Sequence, residues 1–184
     1  MRYLASPAQL RASLLRWSLF TVPVVVAAGF LSGRAAGSGP GNVWFDALHK
    51  PAIYPPPAAF GIVWTVLYVM IGISLAVIAS ARGASGRGWA ILAFAIQLAL
   101  NLAWSPLFFS AHQVTWAMYL LIALDVMVLV TIVLFARIRP LAAWLLVPYF
   151  GWVLFATVLN WQFHVANPDA ETLGNSGAAV RVEL

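Results

Sequence analysis

No cysteine occurs in the chain, which excludes a disulfide framework, a thiolate metal site and a cysteine nucleophile. Charge is nearly as scarce. Only 8% of the 184 residues are Asp, Glu, Lys or Arg, where a soluble domain carries about 25%. Life as a soluble monomer is thereby excluded. Glycine-rich phosphate loops are missing, and no Ser/His/Asp set is recognisable. Histidine occurs three times, at His49, His112 and His164. None stands at metal-ligand spacing from another donor, so no metal site is expected. The net charge of +5 does not indicate nucleic acid, because the basic residues lie between apolar blocks rather than in one patch. That is the flank pattern of membrane segments.

What the chain has in excess is apolar and aromatic surface. Hydrophobic residues make up 63% of it, with nine tryptophans. Uncharged runs extend over 17–33, 51–81, 88–124 and 140–168. A spanning helix needs about 20 apolar residues, so the 88–124 run is too long for one span. It contains "SPLFFSAHQ" (105–113), where a proline and polar residues allow a tight turn. The reading is an all-α, integral membrane bundle of five transmembrane helices over 15–166. They run at about 15–35, 57–81, 88–110, 113–137 and 141–165. Residues 1–14 form an N-terminal segment, and 167–184 a polar, frayed tail. The first helix is expected to be retained, not cleaved as a signal peptide. Seven Lys/Arg on the N-terminal side against three on the other place the N-terminus inside if the membrane is an inner one.

Several residues invite chemistry. Asp125 is the one acid expected deep in the bilayer, where an ionisable group is costly. Proton relay, polar ligand contact and helix–helix hydrogen bond all fit it, the last most simply. In the third helix Ala95, Ala99 and Ala103 form a small-xxx-small stripe suited to close helix packing or a dimer. Asn101, Trp104, Ser105 and Phe108 lie on a different face. Trp64 and Tyr68 share a face of the second helix. Trp152, Ala156 and Leu159/Asn160 share one of the fifth, with Trp161 one position on, and Trp116 opens the fourth. Trp17, Trp89 and Trp144 suit interfacial anchoring. Aromatics with a few polar groups (Asn101, Ser105, Asn160) are what a flat hydrophobic ligand needs. "GFLSG" (29–33) is formally GxxxG, but its position suggests a flexible exit from the helix.

Three stretches carry a family resemblance: "WFDALHKPAIYPPP…VWTVLY", "QLALNLAWSPLFF" and "LLVPYFGWVLFATVLNW". In order and spacing, over about residues 40–165, they resemble the translocator protein family, also called tryptophan-rich sensory proteins (TspO/MBR) or peripheral benzodiazepine receptors. The resemblance implies a five-helix bundle, commonly a homodimer, with a ligand pocket covered by the loop 36–56. Its ligands would be porphyrins such as protoporphyrin IX and haem, and isoquinoline carboxamide drugs; no cofactor is obligatory. The pocket set it implies is Trp44, Phe45 and Pro55 from the lid, then Trp64, Asn101, Trp104, Ser105, Trp116, Ala156, Leu159 and Trp161. Tyr68 joins them from the helix-face reading. Ala95, Ala99 and Ala103 would be the dimer stripe. A membrane receptor or sensor for porphyrins is the leading expectation. Light-dependent degradation of protoporphyrin IX, with Trp64 and Trp161 as the catalytic pair, is a second, and transport of porphyrins or similar amphiphiles a third. The chain departs from the family at Ile53, where a tryptophan is usual, and at Leu120, where an acid is usual. A sterol motif is not expected, since no basic residue follows Trp161 until Arg181. Within the lid, Pro51 and Pro55–Pro57 fix φ and remove donors, which lets a non-helical cover hold its shape. An Asp46–Lys50 i,i+4 tie would add to it if 44–50 is a helical turn.

Overall fold

A computed structural model describes residues 6–176. The described residues are helical and contain no strand. Five helices are long and apolar enough to cross a membrane: α1 (Pro7–Ala35), α3 (Pro57–Ser80), α4 (Arg87–Ser105), α5 (Val114–Ile138) and α6 (Pro140–Ala166). Two short helices complete the set, α2 (Val43–Ala47) in the lid and α7 (Ala170–Ser176) after the last span.

Local chemistry explains the boundaries. α1 begins at Pro7 rather than near residue 15, because Ser6 and Gln9 form a capping box: Gln9 N donates to Ser6 Oγ (3.3 Å) and Ser6 N to Gln9 Oε1 (2.9 Å). Pro7 follows at the first position, where its missing N–H costs nothing. α3 ends where Arg87 reaches back, its Nε and Nη2 donating to the carbonyls of Ile78 (3.1 Å) and Ala79 (2.9 Å). A cation there also favours the negative helix end. α5 stops at Ile138 because Arg139 precedes Pro140 and is extended (φ −148°, ψ 104°), the conformation a pre-proline residue prefers.

The turn expected within 105–113 falls at the end of that stretch, between Ser110 and Val114, as the expected ranges 88–110 and 113–137 have it. Rather than ending at Pro106, the helix widens into a π-turn over Pro106–Ser110, with Ala111 N donating to Pro106 O at 2.9 Å. Proline cannot supply the N–H that would reach the carbonyl four residues back. The carbonyl so released, Leu102 O, accepts from Ser32 Oγ of α1 at 2.6 Å. A local defect in α4 thus becomes a tie between two helices.

Consecutive helices are not always the closest partners. α1 packs on α3, α3 on α6, α6 on α5 and α5 on α4, while α3 and α4 touch only lightly. Polar ties follow the same seams. Thr21 Oγ1 donates to Gly72 O (2.8 Å) between α1 and α3, and Ser74 Oγ to Ala142 O (2.7 Å) between α3 and α6. The α1–α3 seam is too tight for a side chain at two glycines. A Cβ on Gly72 would lie 2.6 Å from Val22 Cα, and one on Gly29 2.1 Å from the Tyr68 ring. "GFLSG" is therefore not a flexible exit: both its glycines lie inside α1, and Gly29 is a contact within the chain.

The polar tail is also more ordered than expected up to residue 176. Trp44 Nε1 donates to Ala170 O (2.8 Å), and Thr115 N to Glu171 Oε1 (2.8 Å). The second bond satisfies one of the N–H groups that the start of α5 leaves unpaired. Residues 177–184, including Arg181, lie outside the described residues, as do 1–5.

Candidate functional site

Where α3 and α4 diverge, the bundle holds a cavity of about 530 Å³ between α1, α3, α4, α5 and α6, roofed by the lid. Its walls are mostly aromatic. Trp64 stacks on Tyr68 (centroids 5.0 Å apart, planes at 26°), and Trp104 on Phe108 (5.2 Å, 23°). Phe60 meets Trp152 edge-on at 5.9 Å. The cavity's amides are few and held by hydrogen bonds. Tyr68 Oη donates to Asn101 Oδ1 (3.1 Å), Trp104 Nε1 to Asn160 Oδ1 (3.4 Å), and Asn160 Nδ2 to Val114 O (3.0 Å). The amides thereby position two aromatic rings from helices on opposite walls. Flat apolar surface held at fixed angles suits a planar hydrophobic ligand, which gains contact area with little reordering of the protein.

The lid is anchored at both ends. Asn42 caps α2, accepting from Phe45 N (3.0 Å), and its Nδ2 donates to Phe109 O (3.3 Å) in the π-turn. Further along, Asn167 clamps His49: His49 N donates to Asn167 Oδ1 (2.7 Å) and Asn167 Nδ2 to His49 O (3.0 Å). Phe45 is buried between Phe109 (5.0 Å) and Phe163 (5.7 Å) and points its ring into the cavity roof. The expected Asp46–Lys50 tie is replaced by other bonds. Asp46 Oδ2 accepts from Gly41 N at 2.8 Å, while Lys50 Nζ donates to the carbonyls of Phe45 and Leu48 and sits over the Phe45 ring. Burial lowers the Lys50 pKa from its ordinary value, against the opposing pull of Asp46. Burial, reinforced by the same Asp46 charge, pushes the Tyr54 hydroxyl up.

Of the residues expected at the site, Phe45, Trp64, Tyr68, Asn101, Trp104, Ser105, Ala156 and Leu159 line the cavity. Four do not. Trp161 faces outward, 53% exposed, and Trp116 likewise at 63%. Both sit one position from a buried neighbour, Asn160 and Ala117, and so on the wrong side of their helices. Trp44 is buried behind the lid against Phe108 and His112 (centroids 5.4 and 4.5 Å) rather than in the cavity. Pro55 is half-buried between Tyr54 and Pro56, and it is Tyr54 and Pro57 that reach the wall. Trp64 and Trp161 therefore do not share one space. Asp125 also lies off the wall: Thr157 Oγ1 donates to its Oδ2 at 2.7 Å, a bond between α5 and α6. Of the three roles weighed for it, the helix–helix hydrogen bond has the geometry. Ala95, Ala99 and Ala103 form an exposed stripe on α4. Among the described residues no cluster of three or more His, Asp or Glu could hold a metal.

Wall residues that motif reading missed include Gly29, Phe30 and Arg34 of α1, and Leu121 and Leu124 of α5. Trp152 and Asn160 were legible from helix periodicity alone.

The model of the TspO/MBR family matches residues 21–166, nearly all of the bundle. The chain belongs to the TspO/MBR family. It is 34% identical over 154 residues to the tryptophan-rich protein TspO of Chlorobaculum tepidum, covering 80% of this chain and 93% of the relative. Protein CrtK of Rhodobacter capsulatus is 35% identical over 157 residues, 85% and 97% of the two chains. The translocator protein of Homo sapiens is 35% identical over 150 residues, 76% and 88%. As a TspO/MBR chain with five apolar helices long enough to span, it is an integral, multi-pass membrane protein.

Proposed function

We propose that this TspO/MBR chain is a membrane receptor or sensor that binds porphyrins, protoporphyrin IX or haem, in the cavity beneath the lid. The observation that carries the reading is the cavity itself. Its volume of about 530 Å³ falls within the roughly 300–1,000 Å³ of small-molecule pockets. Two stacked aromatic pairs and a few satisfied amides form its walls. Planar drugs such as isoquinoline carboxamides fit the same description. The chain would sit with its N-terminus inside, following the Lys/Arg bias. It would pair as a homodimer along Ala95, Ala99 and Ala103, whose exposure supports an outward seam.

The degrading-enzyme reading is weakened by the outward position of Trp161, which leaves Trp64 alone of that pair at the wall. Transport rests on the name of the translocator relatives alone, and five spans do not divide into the paired halves common among transporters. One experiment separates these readings. Protoporphyrin IX is titrated into purified protein in detergent, and tryptophan fluorescence and the porphyrin spectrum are followed in dark and light. Saturable quenching, reduced in Trp64→Phe, is expected. Absence of quenching refutes binding, and light-dependent loss of the porphyrin bands would move the reading to the enzyme.

A further inference from the structure

The cavity is not closed at the lid. A second hollow of about 880 Å³ opens on the outer side of α2, and Arg34, Ser38 and Pro40 belong to the walls of both. The two spaces thus adjoin at the C-terminal end of α1, with Arg34 between them. Their polarity differs: the inner one is aromatic, whereas the outer one carries Arg34, His112 and the backbone of the glycine-rich segment 37–41. Among the described residues no Asp or Glu lines either.

Among the described residues, Arg34 is the single cationic side chain on the inner cavity's walls. It stands in the last turn of α1, exposed. Among the described residues its guanidinium makes no ion pair and no hydrogen bond. Lys50, the other cation of this end, is already committed to two carbonyls and the Phe45 ring. A cation in a helix's last turn has some local stabilisation, but that does not use the guanidinium's five donors.

We propose that Arg34 is the anchor for the acidic edge of the ligand, and so a specificity determinant for flat apolar carboxylic acids over their neutral analogues. The inference rests on the porphyrin reading above and extends it. Protoporphyrin IX is a flat apolar ring with two propionates on one edge. Burying those carboxylates unpaired beside Trp64 and Tyr68 would be costly. With the ring inside and the edge at the shared mouth, the propionates meet Arg34, whose planar fork pairs bidentately with a carboxylate. The second propionate faces the outer hollow, on the side of His112.

The test compares protoporphyrin IX with its dimethyl ester, which keeps the ring and removes both charges. Quenching titrations use the full chain in detergent as wild type, Arg34→Gln and Arg34→Lys. Wild type is expected to bind the diacid about tenfold tighter than the ester or better. Arg34→Gln should lose that preference while holding the ester as wild type does, and Arg34→Lys should recover part of it. Unchanged ester binding also shows that the variant is folded. Equal affinity of wild type for diacid and ester overturns the assignment, and so does a variant that binds the diacid normally or weakens both ligands alike. If neither ligand quenches wild type, the porphyrin reading itself has failed and this inference falls with it.

Discussion

The contact between Gly29 and Tyr68 offers the sharpest test of the cavity's construction. A Cβ placed on Gly29 would sit 2.1 Å from Tyr68 Cε2 and 2.2 Å from Cζ, far inside van der Waals contact. The ring has little freedom to yield. It is buried, stacked on Trp64 at 5.0 Å, and tied through its hydroxyl to Asn101 at 3.1 Å. Gly29→Ala must therefore separate α1 from α3 or swing the ring into the cavity. Overpacking of this kind costs about 1–3 kcal/mol. Breaking the Tyr68–Asn101 bond adds about 1 kcal/mol or more by orphaning a buried acceptor. For a chain of this size each kcal/mol shifts Tm by roughly 2–4 °C, so thermal unfolding in detergent should show the loss directly. Porphyrin affinity should fall with it, because Gly29, Tyr68 and Asn101 all line the cavity. A double-mutant cycle isolates the contact. In a Tyr68→Ala background the added methyl finds space, so Gly29→Ala should cost less there by about 1 kcal/mol or more. A Gly29→Ala protein with wild-type Tm and affinity would refute the close approach. An equal penalty in both backgrounds would place its cause somewhere other than Tyr68.

Three further experiments probe the frame around the site. Ser32→Ala should destabilise by about 1–3 kcal/mol, by orphaning the Leu102 carbonyl that Pro106 leaves free. Adding Pro106→Ala returns an N–H to that carbonyl and should recover part of the loss, read as Tm in the single and double variants. Asn160→Leu removes the link between Trp104 Nε1 and Val114 O; a loss of about 1–3 kcal/mol with weakened porphyrin quenching is expected. Trp44→Phe keeps the ring contacts but loses the 2.8 Å bond to Ala170 O, so limited proteolysis should cut the C-terminal segment faster while porphyrin affinity stays within about twofold.

Most of the fold was legible because its signal is one of length and charge. Uncharged runs bounded by arginine define spans whatever their neighbours do, and four of the five spans keep both ends within a residue or so between sequence and structure. The wider turn inside the third helix has no such local signal: the bilayer gives the carbonyl released by Pro106 no water to bond, Ser32 of α1 supplies the donor, and the helix runs on to Ser110, within its expected range of 88–110. Misreadings arose where a local rule was applied without its partner. The tail was taken as frayed on composition alone. Its order comes from Trp44 and the start of α5, contacts 126 and 56 residues distant in sequence, which no local pattern contains. The early start of α1 is legible in Ser6-Pro7-Ala8-Gln9, a capping-box pattern with proline at the first helical position.

The site divides along the same line. Residues placed by helical periodicity reach the cavity; of those placed by family motif alone, Phe45 of the lid does and Trp44, Pro55, Trp116 and Trp161 do not. On α6, Trp152, Ala156, Leu159, Asn160 and Phe163 fall on one inward arc. At 3.6 residues per turn, Trp161 lies about 180° from Trp152, so no rotation of a regular helix brings both indoles to one wall. Trp161 is correspondingly the exposed member. A photochemical role for it would need an unwound α6 or a surface outside this cavity, such as a partner subunit's flank or the lipid boundary. Arg34 shows the converse. It was counted only as a membrane-flank charge because a single basic residue after an apolar run has no periodicity to betray it. Its position at the mouth follows from where α1 ends against the lid, and that is fixed by Ser32, Ser110 and Asn42 bonding across from three different segments.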